Sequence, residues 1–168
     1  LSLSTTQSFT VVVQEVNVAP VLTVPTNQTI AELTTLTVTN IATDSDIPTN
    51  TLTFALVNAP TGVNLNPTNG VLTWTPTEAQ GPSTNTITVK VSDDGIPSLS
   101  ATQSFTVVVQ EVNVAPVLTV PTNQTITELT TLTVTNHATD SDIPTNALTF
   151  ALVSAPSGVN LNPTNGVL

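Results

Sequence analysis

The chain is written nearly twice. Phe9 returns as Phe105, Asn17 as Asn113 and Asp44 as Asp140, a constant offset of 96 residues. Laying 1–72 on 97–168 leaves seven mismatches: Leu1/Pro97, Thr5/Ala101, Ala31/Thr127, Ile41/His137, Thr51/Ala147, Asn58/Ser154 and Thr61/Ser157. A unit of this length is the size of a small domain. It exceeds the roughly 20–50 residues of modules that bury a core only by stacking on neighbours. Each unit is therefore expected to fold largely alone.

Within one unit the hydrophobic period is two, never 3.6. Val21–Val24 reads as a short strand that Gln28–Ile30 continues after a Pro25-Thr-Asn break. Leu33–Thr43 alternates with Leu36 and Val38 on one face, and Thr51–Asn58 with Leu52, Phe54 and Leu56. Gly62–Asn66 and Val71–Thr75 flank Pro67-Thr-Asn-Gly70, a hairpin signal because Gly accepts the positive φ of a tight turn. Ile87, Val89 and Val91 share a face in 86–91, as do Phe105, Val107 and Val109 in 101–110. Thr and Val suit a pleated, half-buried surface, and thirteen prolines with many Asn supply the turns. About seven strands at roughly 8–12-residue spacing predict an all-β, two-sheet antiparallel sandwich. Residues 1–15 read as the last strand of an upstream unit and 16–111 as one complete sandwich. Residues 112–168 read as the N-terminal part of a second, which stops within a strand at Gly166-Val-Leu168. The chain is thus expected to be one window of a longer repetitive protein.

Charge narrows the chemistry. Eleven carboxylates face one cation, Lys90, for a formal net charge of −10. Nucleic acid and anionic membranes need basic patches and are poor partners. No apolar run reaches the roughly 20 residues of a membrane helix. No Cys is present, so there is neither a disulfide framework nor a thiol nucleophile. The only histidine, His137, replaces Ile41, so the complete unit has no base for serine chemistry. Asp93-Asp94 are loop neighbours that point apart, unlike a proton-sharing dyad. Trp74 reads as core rather than as a sugar-stacking platform. Asn27-Gln-Thr29 and Asn123-Gln-Thr125 match a glycosylation sequon. An enzyme is not expected.

The acids sit almost wholly in loops and strand ends, and there the chain resembles a family. Glu111-Val-Asn-Val-Ala-Pro116 resembles the inter-domain linker of cadherin repeats, Asp-x-Asn-Asp-Asn-Ala-Pro. Ala42-Thr-Asp-Ser-Asp46 is similar to the family's Ala-x-Asp-x-Asp loop, and Val91-Ser-Asp-Asp-Gly-Ile-Pro97 to its Ala-x-Asp-x-Gly-x-Pro loop. Gly62–Pro76 is closer to the dystroglycan-type cadherin-like and immunoglobulin-like repeats of large bacterial surface proteins. The resemblance covers the whole unit and implies Greek-key sandwiches in tandem, with Ca²⁺ between successive domains. Carried onto this sequence, one joint would use Glu32, Glu78, Glu111 and Asn113 from upstream and Asp140 and Asp142 from downstream. The preceding joint would keep Glu15, Asn17, Asp44, Asp46 and Asp93. Two departures stand out. The linker is one residue short, with Val114 where the family has its second Asp, and Pro76-Thr-Glu-Ala-Gln80 replaces an Asp-Arg-Glu loop. One or two ions per joint, rather than three, follow from that.

Calcium wants six to eight oxygens, and a loop-borne cluster of carboxylates offers them. The competing reading is turn acids in water, since Asp caps turns through its own side chain. Two functions stay open. One is a structural or adhesive repeat of an extracellular, bacterial cell-surface protein, partnered by other copies of itself end to end or sideways in a filament. The other is a module of a large secreted protein that binds surface polysaccharide or another protein.

Overall fold

A computed structural model describes residues 1–168 and forms eleven strands. Residues 16–111 hold β1 (Val21–Thr23), β2 (Gln28–Ala31), β3 (Leu36–Thr39), β4 (Ile41–Thr43), β5 (Thr53–Asn58), β6 (Asn64–Leu65), β7 (Val71–Trp74), β8 (Ser83–Ser92) and β9 (Ser100–Gln110). The second copy holds β10 (Val117–Thr119) and β11 (His137–Thr139). A single 3-10 turn, Glu78–Gln80, is the only helical segment.

The sheets run β2-β9-β8-β5 and β3-β7-β6, with β1-β4 and β10-β11 as two-stranded pairs. The fold is the expected β-sandwich. Its core is the predicted alternation: Ile87, Val89 and Val91 on β8 and Phe105, Val107 and Val109 on β9 are buried, with Leu36, Phe54, Leu72 and Trp74 from the other strands. Full burial of each such side chain is worth roughly 1.5–3 kcal/mol. Trp74 is 1 % exposed, as expected of a core residue.

The stretch read as one strand over 33–43 is two. Asn40 interrupts it, buried, with its backbone N–H and its Nδ2 both donating to the Gly70 carbonyl at 2.9 Å. Before the break β3 pairs with β7 (Leu36↔Trp74, Val38↔Leu72); after it β4 pairs with β1 (Leu22↔Ala42). Gly70 closes the β6–β7 hairpin at φ +68°, and a Cβ there would strike the Asn40 carbonyl. The turn therefore demands glycine twice over, by φ and by space.

The chain forms two compact units, one of 1–28, 35–74 and 85–107, the other of 29–34, 75–84 and 108–168. Residues 1–20 carry no strand, although Gln7–Val16 is identical to Gln103–Val112, which contains most of β9. Within this chain no counterpart of β8 precedes the first copy of that decapeptide. Phe9 is accordingly 89 % exposed and Phe105 3 %. His137 lies exposed on β11, opposite Thr119.

Candidate metal centre

The three glutamates assigned to the upstream side converge. Glu32 follows β2, with its N–H on the Gln110 carbonyl; Glu78 opens the 3-10 turn; Glu111 follows β9. Each offers one carboxylate oxygen within 4.8 Å of the others. The turn that presents Glu78 is closed by Gln80 N–H on the Thr77 carbonyl at 2.8 Å and by Thr77 N–H on Gln80 Oε1 at 3.0 Å. Glu32 is 1 % exposed. Its Oε1 accepts the Val112 N–H at 3.0 Å. Gly81 packs against its Oε2, where a Cβ would collide with the carboxylate.

Three carboxylates so close are costly without compensation. Burial, then the charge of Glu32, pushes the Glu78 carboxyl above the ordinary glutamate range, and an N–H from Ile143 partly offsets the rise. Burial, then Glu32, Glu78 and Asp142, pushes Glu111 up as well. Even so, Glu32 Oε2, Glu78 Oε1 and both Glu111 oxygens are buried with no hydrogen-bond partner. Buried acceptors are normally satisfied, and an unsatisfied carboxylate oxygen is among the most expensive atoms to leave so. Three carboxylates that each bring one oxygen within 4.8 Å of the others have the chemistry of a hard-cation site.

The downstream residues fall into the same unit. Asp142 is 3 % exposed, and both its oxygens accept the Val114 N–H at 3.1 Å. Asp140 Oδ1 accepts the Asp142 N–H at 2.9 Å, and Asn113 Oδ1 accepts Asn146 Nδ2 at 3.1 Å. Val114, which supplies no oxygen side chain, contributes a backbone donor instead.

The other predicted set gathers in the first unit. Burial and the charges of Asp46, Asp44 and Asp93 raise the pKa of Glu15. Asp46 and Asp93 are buried. Asp46 accepts the Val18 N–H at 3.0 and 3.3 Å, and Asp93 Oδ2 accepts Asn17 Nδ2 at 3.2 Å. Gly95 packs against the Asn17 amide too closely for any Cβ. Asp44 Oδ2 is buried and unpartnered. Asp94 stays apart as a turn acid, its carboxyl pulled below the usual range by the Thr51 N–H, 2.7 Å away.

Sequence reading overlooked Asn50 and Asn146. Each stands four residues after its aspartate, Asp46 or Asp142, and donates to it at 3.1 and 2.9 Å. The recurrence of that spacing in both copies was the available signal.

Residues 19–110 match the model of the He_PIG family, described as a Putative Ig domain. The chain belongs to the He_PIG family. Among solved structures, this He_PIG chain is similar to the crystal structure of human CDH23 EC21-23, with 23 % identity and a TM-score of 0.58 over 89 % of this chain and 52 % of that one. Mouse Cadherin-23 EC22-24 gives 21 % identity and a TM-score of 0.55 over 90 % and 53 %. Protocadherin Gamma B2 extracellular cadherin domains 3-6 give 21 % and 0.52 over 91 % and 43 %. The He_PIG chain thus spans about half the length, or less, of these solved chains, and the likeness carries the fold. The comparison with curated proteins gave no match. No helix is long and apolar enough to cross a membrane. A cadherin-like and Ig-like sandwich suits a structural or adhesive repeat.

Proposed function

We propose that this He_PIG segment is a calcium-stiffened spacer in an extracellular structural or adhesive protein built from the 96-residue unit, with 16–111 as one domain and 112–168 as the start of the next. One observation carries the reading: Glu32, Glu78 and Glu111 converge with four buried oxygens that have no partner. Glu32, Glu78 and Glu111 would hold the ion, with Asn113, Asp140 and Asp142 on the downstream side. Glu15, Asn17, Asp44, Asp46 and Asp93 form the matching half of the preceding joint. When bound, Ca²⁺ supplies the positive charge that a chain with a single Lys lacks.

The affinity class of extracellular modules is roughly 10⁻⁴–10⁻³ M, which at about 1 mM calcium gives roughly 0.4–1.4 kcal/mol per site. That is too little to fold a sandwich and enough to fix an angle between two. Chelation is expected to widen the small-angle scattering distance distribution while leaving the melting of the 16–111 core nearly unchanged. Identical scattering with calcium and with chelator overturns the reading. Burial of Trp74 removes the stacking residue a carbohydrate-binding module would use.

A further inference from the structure

Asn69 and Asn165 are the only asparagines of the chain that precede a glycine. Such a pair carries its own reaction. The glycine nitrogen gives up its proton and attacks the asparagine Cγ. The N–Cγ bond forms, the Cγ–Nδ2 bond breaks, and Nδ2 leaves as ammonia. Water then opens the cyclic imide at either carbonyl, to aspartate or to isoaspartate, so no oxidant or cofactor is needed. Glycine favours the attack because no Cβ shields its nitrogen. The neighbouring Asn66 and Asn162 cannot react in this way, since Pro67 and Pro163 have no N–H to give up.

The two sites share one geometry. Asn69 and Asn165 are exposed, and the glycines that follow them are buried. Gly70 N–H donates to the Asn66 carbonyl and Gly166 N–H to the Asn162 carbonyl, each at 3.1 Å. Asn69 Oδ1 accepts the Val71 N–H at 3.0 Å, and Asn165 Oδ1 the Val167 N–H at 3.1 Å. Attack consumes the glycine N–H, on a nitrogen that the closed turn keeps bonded and away from water. Reaction therefore waits for the turn to open. What differs between the copies is the pairing behind the turn. β7 pairs with β3 from Leu36↔Trp74 to Thr39↔Val71, and with β6 as well. Behind Gly166 stand the bridge Thr135↔Val167 and the bonds between Val134 and Leu168.

We infer that Asn69 and Asn165 are spontaneous modification sites gated by the opening of their hairpins. The inference stands without calcium. Each conversion is one-way and adds a carboxylate. The isoaspartate product also lengthens the main chain by a methylene, just before the glycine whose carbonyl Asn40 or Asn136 holds. A converted hairpin cannot close as before, so it records that its unit has been opened.

The test incubates the 168-residue chain in mildly alkaline buffer and follows both sites by peptide mapping and mass spectrometry. The same chain in urea and a peptide of residues 64–73 supply the ungated rate. Asn69 is expected to convert about 100-fold more slowly in the folded chain than in the peptide, and Asn165 about tenfold faster than Asn69. Asn66→Ala removes the bonds from its Oδ1 to the N–H groups of Thr68 and Asn69, and is expected to speed conversion of Asn69 while leaving Asn165 unchanged. Circular dichroism checks that this variant stays folded. Conversion of Asn69 in the folded chain at the peptide's rate overturns the gate. Absence of isoaspartate from both the peptide and the urea sample overturns the sites. An Asn165 rate no greater than that of Asn69 overturns the part given to the sheet behind the turn.

Discussion

Leu22 and Leu118 occupy the same position of the repeat, each facing an alanine across a two-stranded pair, Ala42 and Ala138. Leu22 is 2 % exposed and Leu118 59 %. Residues 17–30 and 113–126 are identical, so the difference does not come from the sequence around the two leucines. Strands β8 and β9 belong to the first copy, and their counterparts are not among residues 112–168. Leu22→Ala is therefore expected to cost about 2–5 kcal/mol and Leu118→Ala less than about 0.5 kcal/mol. Urea denaturation followed by Trp74 fluorescence and circular dichroism checks both. Equal costs would mean that the second copy has a closed core.

Gly70 is the second test of the fold. Its φ of +68° and its approach to the Asn40 carbonyl both exclude a side chain. Gly70→Ala is expected to destabilise the complete sandwich by about 2–4 kcal/mol, through backbone strain and loss of the Asn40 contacts. The same denaturation experiment reads it.

Most of the sandwich was legible in the sequence because period-two alternation reports burial directly. The β6–β7 hairpin was legible because Gly70 has one conformational role. The break at Asn40 was not, since an Asn within an alternating run looks like another outward polar residue. Only the Gly70 carbonyl, thirty residues away in sequence, makes it a buried junction. The acids of the site were legible by resemblance to cadherin repeats. Their convergence was not, because it depends on a 3-10 turn at Glu78 and on the bare backbone of Gly81. Glu128 makes the point. It repeats Glu32 and is exposed, because the chain holds no second copy of Gly81 or Val112 beyond it.

Gly81 offers a way to disturb the site without removing a ligand. Its backbone lies in the extended region, so alanine is tolerated conformationally, but its Cβ would displace the Glu32 carboxylate. Gly81→Ala is expected to weaken calcium binding by about tenfold, comparable to the loss of an orienting contact. Isothermal titration of parent and variant at matched ionic strength measures it.

The pH dependence has a defined sign. Glu15, Glu78 and Glu111 have carboxyls raised above 4.5 by burial and by neighbouring acids. In that window the folded chain holds more protons than the unfolded one, so stability falls as pH rises through the raised values. Asp94 acts oppositely: its carboxyl is lowered below 3.8, and its contribution is lost as pH falls through that lower value. Without divalent ions the melting temperature is expected to rise as pH falls through the raised glutamate values. A metal-free melting temperature that falls steadily from pH 7 to 5 contradicts this.

The most direct test of the account is a calcium titration followed by the backbone amide resonances of Glu32, Glu78, Glu111, Val112 and Val114. Saturable shifts at these positions are expected in the submillimolar to millimolar range. Glu111→Gln should abolish them and magnesium should not reproduce them. Shifts that are absent, or that spread evenly over the acidic loops without saturating, would contradict it.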